Sequence, residues 1–161
     1  MLPDEVDVPH AIVRVLEEAG IQFVFGMPGG DTGRIFDALH DSKAIQTVLV
    51  RHEQVGSIMA EMYGRLTGKP GVVMGQGIFL ACNALFGTLE AVKGASPVLL
   101  LGDFTDIAPF LHHSPYQSGT GEHRNHDLRK FLSGASKYTA AVSGPKQDAQ
   151  TIQLPPKHPA N

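Results

Sequence analysis

The sequence predicts an α/β fold, a doubly wound parallel sheet with helices on both faces. From Pro9 to Leu101, stretches with helical spacing alternate with short apolar runs. That is the pattern of right-handed βαβ units. The apolar runs do not alternate with polar residues, which suits strands covered on both faces. The chain has 161 residues, 42% hydrophobic and 18% charged, enough for one ordinary domain with a packed core.

The elements follow in order. Ile12, Val13, Leu16 and Ala19 recur at helical spacing, with Pro9 near the start and Gly20 at the stop. Ile21 to Phe25 reads as a buried strand, and Gly26 to Gly30 as a turn. Arg34 to His40 is a short helix with Ile35, Phe36 and Leu39 on one side. Ile45 to Val50 is a second strand, Glu53 to Leu66 a helix, and Gly71 to Met74 a third strand. Phe79 to Val92 reads as one helix rich in small residues, and Pro97 to Leu101 as a fourth strand. Beyond Gly102 the pattern loosens. Asp103 to Asn125 reads as a long loop, of the kind that is usually functional in a compact domain. Leu128 to Phe131 makes a helical turn or two, and Lys137 to Val142 is a candidate fifth strand. A last helix starts near Gln147, and Pro155-Pro156 stops it early.

Composition excludes several classes. A net charge of -3 provides no basic field for nucleic acid. No apolar run is long enough for a membrane span. The acidic start MLPDEVDVPH lacks the apolar segment of a signal peptide. Cys82 is the single cysteine, so neither an intrachain disulfide nor a multi-cysteine zinc site is available. A reducing, cytoplasmic setting is expected, and Cys82, beside apolar residues in a helix, is expected to pack in the core. The eight His form no metal motif, so no metal site is expected within this chain.

In an open parallel sheet, ligands bind outside the carboxyl ends of the strands. Gly26–Gly30, Arg51–Gln54, Gly75–Phe79 and Gly102–Thr105 all follow an apolar strand directly. The first, GMPGGDTG, narrowly misses a dinucleotide fingerprint, because Pro28 stands where its first glycine is needed. Glu53 lies 20 positions after Gly33, where a ribose-binding acid falls, so a nicotinamide-dinucleotide-binding Rossmann domain is the rival reading.

The second segment is more specific. GMPGG at 26–30, RHEQ at 51–54, MAEMYGRLTGKPGVV at 59–73 and ASPVLLLGD at 95–103 stand in one order and spacing. Together they resemble the N-terminal pyrimidine-binding (PYR) domain of thiamine diphosphate-dependent enzymes, in the acetolactate synthase and pyruvate oxidase-like branch. The resemblance covers roughly Pro9 to Asp103, with a looser continuation to about Val142. It implies flavodoxin-like layering of the sheet and its helices. It also implies a catalytic role for Glu53, as the glutamate that hydrogen-bonds N1′ of the cofactor's aminopyrimidine. A carboxyl held there in a dry cleft shares a proton with the ring and favours the imino tautomer that takes the C2 proton. Arg51 and His52 read as supporting residues, and Pro28, Gly29 and Gly30 as the turn against the pyrimidine.

The third segment departs from the family pattern T-S-G-P-G-x-x-N. Here Gln76 stands for Thr, Phe79 for Pro, and only Asn83 matches cleanly. Phe79 packing on the ring and Gln76 replacing the hydroxyl is one reading; Ile78, Phe79 and Leu80 as ordinary core is the other. His112 and His113 resemble the His pair of pyruvate and indolepyruvate decarboxylases, but their flanks differ and two solvated loop histidines is the preferred reading. Gln117 resembles an active-site Gln of acetolactate synthase-like enzymes, with too long a spacing to Lys137.

The resemblance implies a PYR-type domain over residues 1–154 and a disordered tail over 155–161. It implies thiamine diphosphate as cofactor, with Mg²⁺ supplied by a PP domain. No GDG followed by a matching Asn occurs, so the PP domain is expected to be absent. The C-terminus stops short of the family's last helix and strand, and a fragment, a truncated product or a split subunit is expected. The substrate implied is a small 2-oxo acid or a diketone, by acetolactate synthase-like carboligation or decarboxylation, with this chain inactive alone. The expected partner is a second PYR- or PP-containing chain, in a homodimer or higher assembly. The faces carrying Met59, Met62, Cys82, Leu85, Phe86 and many small residues are expected to pack between subunits. A non-catalytic dimerisation remnant is the remaining alternative.

Overall fold

The computed structural model describes residues 6–104, 119–121 and 126–142. Four parallel strands form one sheet in the order β2-β1-β3-β4. They are β1 (Phe23–Gly26), β2 (Gln46–Leu49), β3 (Gly71–Gly75) and β4 (Val98–Gly102). The chain steps outward from β1 to β2, then crosses back to β3, so the order reverses between β1 and β3. Gly26 pairs with Met74 at that reversal, and a Cβ on Gly26 would collide with the Met74 carbonyl. Their close approach requires glycine.

Helices cover both faces. α1 (Val8–Glu18) and α2 (Thr32–Asp41) lie on one side. Val13, Leu16, Ala38 and Leu39 pack there against Val24, Val72 and Met74. α3 (Glu53–Thr67), α4 (Gly77–Asn83) and α5 (Leu85–Gly94) belong to the other side. Ala60, Leu80 and Ala84 pack there against Phe25 and Val73. Successive strand side chains thus feed opposite cores, as a pleated strand requires. Only β3 is buried along its whole length. The flanking strands β2 and β4 are half-buried, because a flanking strand has one neighbour and less helix cover.

Local chemistry sets the helix ends. Asp7 accepts from the His10 backbone N–H and caps α1, and Gly20 takes φ +76° just past its end. His52 accepts from the Gln54 N–H and caps α3, and Gly68 closes it at φ +70°. Along α3, Gly56, Ala60 and Gly64 face the sheet. A Cβ on Gly64 would lie 2.5 Å from the Pro97 carbonyl, and one on Gly71 of β3 would lie 2.6 Å from the Ala60 carbonyl. Small residues therefore bring α3 close to the strands.

Three expectations need correction. The helix expected over 79–92 is two helices, broken at Ala84, where the poor helix former Asn83 ends α4. Lys137 to Val142 forms no strand. The Ser136 hydroxyl bonds Leu132, Tyr138 and Thr139 instead, a local alternative to pairing. Cys82 is exposed, because α4 turns Leu80 and Ala81 inward and Cys82 out. The expected turn at Leu128 is α6 (Leu128–Ser133), capped by Asp127, which accepts from the Arg129 and Lys130 N–H groups. His112, His113, Gln117 and the helix expected near Gln147 lie outside the described residues. Among the described residues no helix is long and apolar enough to cross a membrane.

Candidate functional site

The crevice of an open parallel sheet lies at the carboxyl edge, where the strand order reverses. Here that edge carries the β1–α2 turn and the β3–α4 turn side by side. Glu53 is the first residue of α3 and is 6% exposed. Its helix begins directly after β2, so the chain has only three residues in which to bring this carboxyl back over the sheet. The Glu53 side chain lies along the end of β3: a Cβ on Gly75 would be 3.3 Å from Glu53 Cγ and 3.7 Å from Oε1. Gly75 thus lets the Glu53 side chain lie close against the end of β3.

Asn83 Nδ2 donates to Glu53 Oε2 at 2.8 Å. This bond joins the start of α3 to the end of α4 across 30 residues. It holds the carboxyl through one oxygen. Asn83 is therefore engaged with Glu53 itself, a relation that the spacing of the two motifs does not reveal.

The first turn is closed by Thr32. Its hydroxyl donates to the Gly29 carbonyl at 2.5 Å and accepts from the Gly29 N–H at 3.3 Å. Thr32 is 1% exposed, so this tie is shielded from water. Pro28 is exposed and Gly30 takes φ +56°. Gln76 precedes α4 and packs on the turn, where a Cβ on Gly29 would lie 3.3 Å from Gln76 Cβ. The structure thus brings Gly29, Gly30 and Gln76 into one wall and Glu53 with Asn83 into another, with Gly75 between. Of the three apolar residues that follow Gly77, Leu80 is core at 2% exposed, whereas Phe79 is 43% exposed. Arg51 and His52 are exposed at the rim.

A hollow of about 530 Å³ lies elsewhere, at the amino ends of β1 and β2 beside Gln22 and Lys43. Strand polarity argues against it as the reactive site, since ligands gather at the opposite edge. A second hollow of about 390 Å³ adjoins His52, Asn83, Cys82 and Phe86, next to the Glu53 pair.

Residues 6–117 match the model of the thiamine pyrophosphate enzyme, N-terminal TPP binding domain. The chain belongs to the thiamine pyrophosphate enzyme family. The chain is 43% identical over 141 residues to an acetolactate synthase of Bacillus subtilis, covering 88% of this chain and 23% of that protein. It is 40% identical over 90 residues to the acetolactate synthase large subunit of Haemophilus influenzae, covering 56% of this chain and 16% of that one. It is 38% identical over 97 residues to an acetolactate synthase of Mycobacterium avium, covering 60% and 16%. The chain spans less than a quarter of the length of these relatives. The nicotinamide reading of Glu53 is set aside, because the match takes in the same turn and the same RHEQ segment as part of a TPP-binding domain.

One residue of this TPP-binding domain falls in a ligand-edge segment of the sequence, but its partners do not show there. Asp103, directly after β4, accepts from the Asp31 N–H and from the Gly77 N–H, both at 2.6 Å. An acid immediately past an apolar strand, at the ligand edge, is the signal that points to it.

Proposed function

We propose that this domain is the pyrimidine-binding half of an enzyme that uses thiamine diphosphate on a small 2-oxo acid or a diketone. The reaction class is carboligation of the acetolactate synthase kind, or decarboxylation. The observation that carries the reading is Glu53, a buried carboxyl at the ligand edge that Asn83 fixes through one oxygen and that lies against Gly75 at the end of β3. The relatives, which are acetolactate synthases, support the reaction class.

When bound, thiamine diphosphate supplies the nucleophile and electron sink for making or breaking a C–C bond beside a carbonyl. The rest falls to this chain's residues. Glu53 holds a proton at N1′ of the pyrimidine. Asn83 keeps that carboxyl in one orientation. The Pro28–Gly30 turn and Gln76 bound the ring's edge, and Phe79, partly exposed, offers it an aromatic surface. The buried hydroxyl of Thr32 keeps the turn in shape.

The diphosphate and its Mg²⁺ are assigned to a PP domain on another part of the enzyme. Val55, Met59, Met62, Phe86 and Leu89 are exposed on the neighbouring helices α3 and α5, which suits cover by a second chain in a homodimer. The small residues expected there turn inward instead: Ser57 and Gly87 seat α3 on α5 within one chain. One exposed thiol, Cys82, fits a reducing cytoplasmic setting.

Calorimetric titration of the purified chain with thiamine diphosphate, with and without Mg²⁺, tests the reading. Weak, saturable binding that ignores Mg²⁺ is expected, since charge-assisted contacts and metal coordination would dominate capture of the diphosphate. Addition of a chain bearing a PP domain should then restore turnover of pyruvate. Tight, Mg²⁺-dependent binding by this chain alone would contradict the half-site assignment, and no saturable binding would overturn the cofactor reading.

A further inference from the structure

Three connections that are far apart in sequence meet at one carboxylate. Asp103 follows β4, Asp31 opens α2 and Gly77 opens α4. Asp103 Oδ2 accepts from the Asp31 N–H and Oδ1 from the Gly77 N–H, each at 2.6 Å and spanning 72 and 26 residues. Both distances are at the short end for a charged acceptor. Each oxygen also accepts a backbone N–H at the start of a helix, where such groups lack a partner within the helix. The glycines on either side make room for it. A Cβ on Gly30 would collide with Oδ2, and one on Gly77 would collide with the Asp103 backbone carbonyl. Gly29 meanwhile rests on Gln76, so the two turns touch each other beneath the same anchor. Gly75, two residues before Gly77, is the surface against which Glu53 lies.

We propose that Asp103 is a positioning residue. It ties the Pro28–Gly30 turn to the start of α4 and so sets the width of the subsite in which Glu53 meets the pyrimidine. The proposal rests on the cofactor reading above. Without the tie, the two turns would separate independently, and the ring would lose a wall of defined position while Glu53 and Asn83 stayed in place.

The test uses the 161-residue chain, its Asp103→Asn variant and its Gly30→Ala variant. Asn has the same shape but presents an acceptor to only one of the two N–H groups. Ala at position 30 strikes Oδ2 from the other side. Amide hydrogen exchange at Asp31 and Gly77 reads the tie, exchange at Val72 to Met74 reads the fold, and NMR titration with thiamine diphosphate and with thiamine reads the subsite. In the wild type, Asp31 and Gly77 should be protected. In either variant they should exchange faster, with Val72 to Met74 unchanged. Both ligands should then bind about tenfold more weakly with unchanged stoichiometry, because the ring meets a wall that is no longer held in position. A partly unfolded variant would lower the stoichiometry and expose Val72 to Met74, which separates damage to the fold from a change in position. Free exchange of Asp31 and Gly77 in the wild type overturns the tie. Faster exchange in a variant at unchanged affinity overturns the positioning role alone. No saturable binding of either ligand to the wild type overturns the cofactor reading, and this proposal with it.

Discussion

Helix α3 carries two buried glutamates with opposite surroundings. Glu61 is 4% exposed, and its Oε1 receives Arg65 Nε at 2.7 Å, Arg65 Nη2 at 2.6 Å and Ser96 Oγ at 2.9 Å. Glu53 stands eight positions earlier, about 12 Å along the axis. It has one neutral amide donor, Asn83, and bare glycine before its other oxygen. Glu61 is a satisfied ion pair that pins α3 to the turn before β4. Glu53 is held in place without a countercharge among its recorded partners, at the edge where ligands bind. The difference teaches how a buried carboxylate can be held. Glu61 is tied in by a cation and a hydroxyl, and Glu53 by a neutral amide alone, at the edge where ligands of a parallel sheet gather.

The strongest way to break this comparison is Glu53→Gln. The amide oxygen can still accept from Asn83, so the fold should persist. Proton exchange at C2 of bound thiamine diphosphate, in the complete enzyme, should fall at least about a hundredfold. Exchange near the wild-type rate would remove Glu53 from its assigned role. Gly87→Ala acts between the two carboxylates. Its Cβ would collide with Ser57 Oγ and lie 2.6 Å from the Ser57 carbonyl carbon, pushing α5 off α3. Ser57 is four residues from each glutamate, so both ends should suffer: a loss of about 1–3 kcal/mol in urea unfolding, and weaker cofactor binding.

Arg65→Ala sharpens the contrast from the other end. It strips Glu61 of its charge partner, yet the Arg65 side chain is 47% exposed and water can replace part of what is lost. Stability should drop by roughly 1–2 kcal/mol, between the exposed and buried limits. C2 proton exchange should stay at the wild-type rate. A parallel fall in exchange would show that the two ends of α3 are coupled.

The smallest effect is expected far from both. His10 Nδ1 meets Asp7 Oδ1 at 2.5 Å and its Nε2 meets Asp41 Oδ2 at 3.5 Å, joining the start of α1 to the end of α2. The Asp7 hydrogen bond, then that of Asp41, raises the His10 pKa above its ordinary 6.5. The His10 bond lowers the Asp7 pKa below 3.8. The His10 contribution is complete below pH 6.5 and fades as pH rises through the raised value. The Asp7 contribution is complete above pH 3.8 and fades as pH falls through the lowered value. Thermal melts should therefore show a shallow optimum between these limits, which His10→Ala flattens and salt weakens. An unchanged profile in His10→Ala would mean that the link carries no stability in solution.

Much of this molecule was legible in the order of its residues. The alternation of helical and apolar segments has a local cause, the periodicity of each element, and it predicts all four strands and the helices between them, save that the one helix expected between β3 and β4 is two. Glycine placement and the RHEQ segment also speak through near neighbours, as do the Asp7 and His52 caps, which the sequence reading passed over. The orientation of side chains was less legible. Cys82 and Leu80 occupy one short apolar helix, and only the packing of α4 on β4 and β3 decides which is core. The small residues of α3 and α5 read equally well as a surface for another subunit or as an internal seam, until Ser57 meets Gly87. Lys137 to Val142 has strand composition, but a strand needs a partner that sequence cannot supply.

The sequence by itself therefore determined the fold class, the family and the glutamate at the start of α3, because each rests on spacing within a few dozen residues. Only the tertiary structure decided that Asn83 is spent on Glu53, that Asp103 joins two turns, and that Glu61 is matched while Glu53 is not. Apart from the local Arg65 pair of Glu61, those facts rest on contacts across 26 to 72 residues. Such contacts exist only once chain closure has brought the carboxyl ends of the strands to one edge, and no local pattern encodes which side chains meet there.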